Sequence, residues 1–90
     1  MKIVAVCGAG IGTSGILKVN AERALLRLEI EAEVTASDIA SLATTAADAQ
    51  VILTSPELVD RIPPTWADIV VVQNYVDLAE IEQKLLDALG

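Results

Sequence analysis

Hydrophobic and polar positions along these 90 residues change period several times, and each change marks an expected element. Residues 2–6 (Lys-Ile-Val-Ala-Val) form a short β-branched run stopped by glycine, the pattern of a buried strand. From Ser14 to about Leu28 the period becomes helical. Leu17, Ala21, Ala24, Leu25 and Leu28 share one face, and Lys18, Glu22 and Arg23 lie on others. Ser14 or Thr13 is suited to cap that first turn by accepting a backbone N–H. Residues 31–36 alternate polar and apolar as an edge strand does, and a weaker helical pattern runs from Ser37-Asp38 to about Ala46. Residues 50–54 predict a third strand. Ser55-Pro56-Glu57 then predicts a helix start, which Pro63-Pro64 must end. Residues 68–73 predict a fourth strand, and Asp77 caps a last helix with Leu78, Ile81, Leu85 and Leu89 along one stripe.

Strands alternating with helices predict an α/β domain spanning residues 1–90, with a four-stranded parallel open sheet and helices on both faces. Right-handed crossovers leave few strand orders, and 2-1-3-4 is the one expected. Ligands of such sheets bind beyond the carboxyl ends of the strands, beside the switch point. That edge is where residue 7 follows the first strand, and where Thr54, Ser55, Gln73 and Asn74 follow the third and fourth.

Composition narrows the function. Apolar residues make up 53% of the chain, with no Phe and only Trp66 and Tyr75 as aromatics, so the core is aliphatic. The net charge of −7 argues against nucleic-acid binding, which needs a basic face and usually stacking aromatics. The same charge leaves room for a partner with a basic docking surface. No apolar run is long enough to span a membrane, and the N-terminus lacks a signal-peptide pattern, so a cytoplasmic protein without direct membrane insertion is expected. A lone cysteine cannot form an internal disulfide, which suits a reducing compartment. Histidine is absent. An imidazole base, a Cys–His pair and a phosphohistidine of the chain's own are therefore excluded, and no metal site or cofactor is expected.

The chemistry gathers in Cys7-Gly8-Ala9-Gly10-Ile11-Gly12-Thr13-Ser14. A lone cysteine after a strand is ordinarily a small buried hydrophobe. Three glycines in the next five residues alter that, because glycine lets a backbone wrap closely around an anion. The new helix aims free N–H groups and its positive dipole end at the same point, and these donors favour the thiolate over the thiol. Cys7 is thus the candidate nucleophile, and residues Gly8, Ala9, Gly10, Ile11, Gly12, Thr13 and Ser14 are the candidate phosphate cradle. Lys18, Thr54 and Asn74 are candidate rim residues. Lys18 fits a solvated face better, with Glu22 four residues on as its local partner. Ile11 is as free to fold inward as to meet a partner.

Three rival motifs fit less well. Gly10-Ile-Gly12-Thr-Ser-Gly15 has the spacing of a dinucleotide fingerprint, but its glycines start late, and four strands do not make two mononucleotide-binding halves. A Walker loop fails because no Gly-Lys-Ser/Thr follows the turn. Low-molecular-weight tyrosine phosphatases place an arginine after five residues that follow their cysteine, where this chain has Thr13-Ser14. Without a guanidinium to grip phosphate bidentately, hydrolysis is disfavoured and holding a phosphoryl group is not.

Cys7-Gly-x-Gly-x-Gly-Thr-Ser14, with Lys18 one turn on and Asn74 after the fourth strand, resembles the enzyme IIB component of the bacterial phosphoenolpyruvate-dependent sugar phosphotransferase system (PTS). The ascorbate- and galactitol-type branch is the nearer comparison, and the lactose/cellobiose type is more distant. The resemblance covers the whole chain in length and element order. It implies a phosphatase- or flavodoxin-like three-layer sandwich. It also implies an enzyme, an EIIB phosphocarrier in which Cys7 takes a phosphoryl group from a phosphohistidine of the IIA component (EIIA). Cys7 then passes it to a sugar held by the membrane-embedded IIC component (EIIC). A donor histidine on the partner would explain the lack of one here. A non-catalytic IIB-like sensor module resembles the same loop and is the alternative. The sugar is not legible, because in this scheme it contacts IIC.

Overall fold

The computed structural model describes residues 1–6 and 11–89, the side chains of residues 11–14 excepted. Four parallel strands, β1 (Lys2–Val6), β2 (Glu33–Ser37), β3 (Val51–Thr54) and β4 (Asp68–Val71), form one sheet in the order β2-β1-β3-β4. This is the expected order. The register pairs Ile3 with Val34 on one side and with Val51 on the other, and pairs Thr54 with Val71. Among the described residues there are three α-helices, α1 (Ile11–Leu28), α2 (Leu42–Thr45) and α3 (Leu78–Leu89).

The central strands are apolar apart from Lys2 and Thr54 at their ends, because both their faces are covered. Period 2 divides their side chains between two cores. Ile3, Ala5, Val51 and Leu53 meet Leu17, Ala21, Ala24 and Leu25 of α1 and Ile81 and Leu85 of α3. Val4, Val6 and Ile52 face the other way, toward Leu42, Ala46, Leu58 and Ala67. The first face therefore carries two long helices, and the second is closed by the one-turn α2 and a short 3-10 segment.

That asymmetry explains where the structure departs from the pattern. The element after β2 is only one turn of helix, because Leu42 is its single buried residue and alanines and threonines fill the rest. Ser41 precedes it without a side-chain cap, and Asp38 Oδ1 instead accepts from the Ser41 N–H at 2.7 Å. The helix expected from Ser55 is a turn leading into a 3-10 segment, Val59–Arg61, with no side-chain cap. Only seven residues separate Ser55 from Pro63, and Leu58 is the one apolar residue among them that is fully anchored in the core. β2 begins two residues later than the alternation suggested, and β4 stops at Val71.

α1 begins at Ile11, three residues ahead of the expected start, so Thr13 and Ser14 lie within its first turn and neither is its N-cap. It ends at a left-handed Glu29 (φ 57°), with the Ile30 N–H donating to the Leu25 carbonyl at 3.0 Å and the Glu29 N–H to Leu26 at 3.2 Å. That is a Schellman closure, made here without the usual glycine.

Candidate functional site

Parallel strands place all four carboxyl ends at one edge of the sheet. β1 ends there at Val6, in register with Ser37 at the end of β2. α1 starts from the same edge five residues later. Cys7, Gly8, Ala9 and Gly10 lie outside the described residues. Ile11, Gly12, Thr13 and Ser14 form the first turn of α1, so their N–H groups are the ones that helix geometry leaves without an intrahelical acceptor. The positive end of an 18-residue helix therefore points out of this edge, with no acidic residue in its first turn to satisfy it.

The three candidate rim residues fare differently. Lys18 sits on the second turn of α1, 38% exposed, with its Nζ 3.6 Å from Glu22 Oε2. That is the solvated i,i+4 pair foreseen from the spacing, and such pairs contribute little to stability. Thr54 is the last residue of β3 and is fully buried. Its carbonyl accepts from the Val72 N–H at 2.8 Å, and its hydroxyl lies 3.5 Å from the Ser55 carbonyl. Thr54 thus lies beneath the edge, not on it. Asn74 is exposed, in the loop after β4.

That loop is held from several directions, a feature the pattern did not reveal. Glu80, in the first turn of α3, reaches back and accepts from the Gln73 N–H at 2.7 Å and the Asn74 N–H at 2.9 Å. Lys84 Nζ lies 2.6 Å from Glu80 Oε2 and also donates to the Val71 carbonyl. Asn74 Oδ1 accepts from the Val76 N–H at 3.1 Å, and Asp77 caps α3 as expected by accepting from the Glu80 N–H at 3.1 Å. From the other side, Asn20 Nδ2 of α1 donates to the Tyr75 carbonyl at 2.7 Å. Partial burial pushes the Glu80 carboxyl up, but the Lys84 ammonium and the two backbone N–H groups outweigh it and hold its pKa below the usual glutamate value. A glutamate three residues after a capping aspartate, with lysine four further on, was the only sequence signal for this cluster.

Among the described residues no group of His, Cys, Asp or Glu is arranged to hold a metal ion, and no helix is long and apolar enough to cross a membrane. The chemistry this edge can offer is backbone and amide hydrogen bonding to an anion.

Residues 2–87 match the family described as PTS system, lactose/cellobiose specific IIB subunit. The chain is also 33% identical over 90 residues to the ascorbate-specific PTS system EIIB component of Mycoplasma pneumoniae, covering 99% of this chain and 95% of that protein. Its fold is similar to the lactose-specific IIB component domain of the phosphoenolpyruvate:carbohydrate phosphotransferase system from Streptococcus pneumoniae. There the TM-score is 0.74 at 17% identity, covering all of this chain and 98% of the other.

Proposed function

This chain belongs to the IIB subunit family of the sugar phosphotransferase system, and we propose that it is a phosphocarrier, a sugar-phosphotransferase component that works through a phosphocysteine at Cys7. The observation that carries this is the position of the sole cysteine. In sequence it comes directly after Val6, where β1 ends at the carboxyl edge of the sheet, and four residues before Ile11, where α1 starts from that edge.

In the proposed reaction, Cys7 gives its proton to solvent and the thiolate attacks the phosphorus of a phosphohistidine on a IIA partner. The S–P bond forms as the N–P bond breaks, and the leaving imidazole departs neutral, its other ring nitrogen carrying the proton. The phosphoryl group then passes to a sugar hydroxyl held by a membrane IIC partner, restoring the thiol. Such transfers rest on positioning and on stabilising charge over the phosphoryl oxygens. In this proposal the backbone N–H groups of residues 8–14 supply both, and the Thr13 and Ser14 hydroxyls add donors. The ascorbate-specific relative supports a sugar acid or a related polyol as the acceptor. The carrier works in the cytoplasm, between a soluble donor and the inner face of the transporter.

The test is intact-protein mass after incubation with phosphoenolpyruvate, enzyme I, the histidine phosphocarrier and an ascorbate-type IIA protein. Wild type should gain one phosphate that survives hydroxylamine, and Cys7→Ser should gain none. No adduct on wild type would leave a phosphorylation-sensing module as the better account.

A further inference from the structure

The end of α1 remote from the carboxyl edge carries an apolar surface that the fold leaves uncovered. Leu25 and Leu26 lie in its last turn, and only Leu25 reaches the core. Leu26 is 79% exposed and Met1 is 57% exposed. With Ile30 these residues line a groove of about 640 Å³ between the end of α1 and the approach to β2. β2 is an edge strand, so no further strand closes the outer side. A contiguous apolar patch rimmed by polar groups marks a docking surface more often than a chance exposure.

Charge decides what this surface can take. Its polar rim is Glu22, Glu31 and Glu33, and none of the lining side chains is cationic. Glu22 is paired with Lys18 at 3.6 Å. Among the described residues, Glu31 and Glu33 have no ion-pair partner. The carbonyl end of an 18-residue helix adds its negative dipole at the same place. Arg27, the one basic residue in that last turn, is already engaged by Glu82 at 2.8 Å. Unpaired carboxylates and a helix C-terminus around an apolar floor are complementary to an apolar side chain flanked by lysine or arginine. A second copy is a poor occupant, because a two-fold contact would set Glu31 and Glu33 against the same carboxylates of the other chain. An anionic lipid surface is repelled by the same rim.

We propose that this groove docks a basic segment of a partner protein. An apolar side chain of that segment sits on Leu26, and the lysines or arginines beside it pair with Glu31 and Glu33. The groove lies about 27 Å from the first turn of α1, the length of 18 helical residues. Docking there leaves the carboxyl edge of the sheet open, and the proposal does not depend on the phosphocarrier function.

The test is an amide NMR titration at physiological salt with the capped synthetic peptide Lys-Arg-Leu-Leu-Arg-Lys, with thermal unfolding of every variant in parallel. Saturable shifts confined to residues 22–33 are expected, and none with the peptide whose basic residues are replaced by glutamate. Leu26→Ala and the double variant Glu31→Gln, Glu33→Gln should each weaken binding about tenfold. Their melting temperatures should match wild type, because all three side chains are exposed. Binding that either variant retains, shifts spread over the whole surface, or no saturable binding would overturn the proposal. So would shifts at residues 22–33 on concentrating the protein alone, which would assign the groove to a second copy. The same shifts on adding phosphatidylglycerol vesicles would assign it to a membrane and overturn the proposal equally.

Discussion

At the scale of single residues, the same chemistry appears in different roles according to what surrounds it. Two glutamates at i+4 from or to a lysine, Glu22 and Glu80, look alike in sequence. Glu22 makes a loose exposed pair, and Glu80 organises a loop. Because the Glu80 carboxyl titrates below its ordinary value of 4.5, the folded state binds fewer protons there than the unfolded chain. Its stabilising contribution is therefore complete above pH 4.5 and is lost as pH falls through the lower, folded value. Melting temperatures measured from pH 7 down to pH 3 should accordingly drop more steeply for wild type than for Glu80→Gln. Parallel curves would mean that the clamp contributes no proton linkage. The Lys2–Asp48 pair at 2.9 Å shifts Asp48 in the same direction but is exposed, so it adds little. Cys7 and its glycines were singled out at this scale from spacing and local chemistry, and they lie outside the described residues. The Glu80 cluster was not, because its bonds cross from a helix to the loop before it and carry no periodic signature.

At the scale of elements, the long ones were legible and the short ones were not. α1 and α3 announced themselves because a continuous apolar stripe must face the sheet over several turns. The connections on the other face need only one or two anchors, Leu42 and Leu58, and so show no usable period. Local hydroxyl and proline signals at Ser55-Pro56 then suggested more helix than tertiary packing supports. The end of α1 supplies a test. Glu29 occupies a left-handed conformation that costs a side chain with a Cβ about 1 kcal/mol relative to glycine. Glu29→Gly should therefore raise stability by about 0.5–1 kcal/mol in urea unfolding, with an unchanged m-value. A loss of stability would show that Glu29 makes a compensating contact.

At the scale of the whole molecule, the sheet order unites these elements into two unequal cores. Leu85 lies where α3, α1 and the sheet meet and is fully buried, whereas its neighbour Leu86 is 44% exposed. Leu85→Ala should cost about 2–5 kcal/mol, a large part of the stability of a domain this size. Leu86→Ala should cost about 0.5 kcal/mol or less, and urea unfolding distinguishes the two. Comparable losses would mean that the outer face of α3 is also covered in solution.

By itself, the sequence determined the strand–helix alternation and the 2-1-3-4 sheet, and it pointed to the thiol and glycines that follow β1, which lie outside the described residues. Those follow from short-range rules: hydrophobic period, the freedom of glycine, and the few ways parallel strands can be joined. Tertiary structure alone decided that Thr54 is buried beneath the carboxyl edge of the sheet, that the second face is closed by the one-turn α2 and a 3-10 segment in place of long helices, and that Glu80 and Asn20 tie the β4–α3 loop to α3 and α1. Each of these depends on which residues meet across many positions of chain, as with Asn20 and Tyr75, 55 positions apart. Such meetings are settled by packing and hydrogen-bond satisfaction in three dimensions, and no local pattern encodes them.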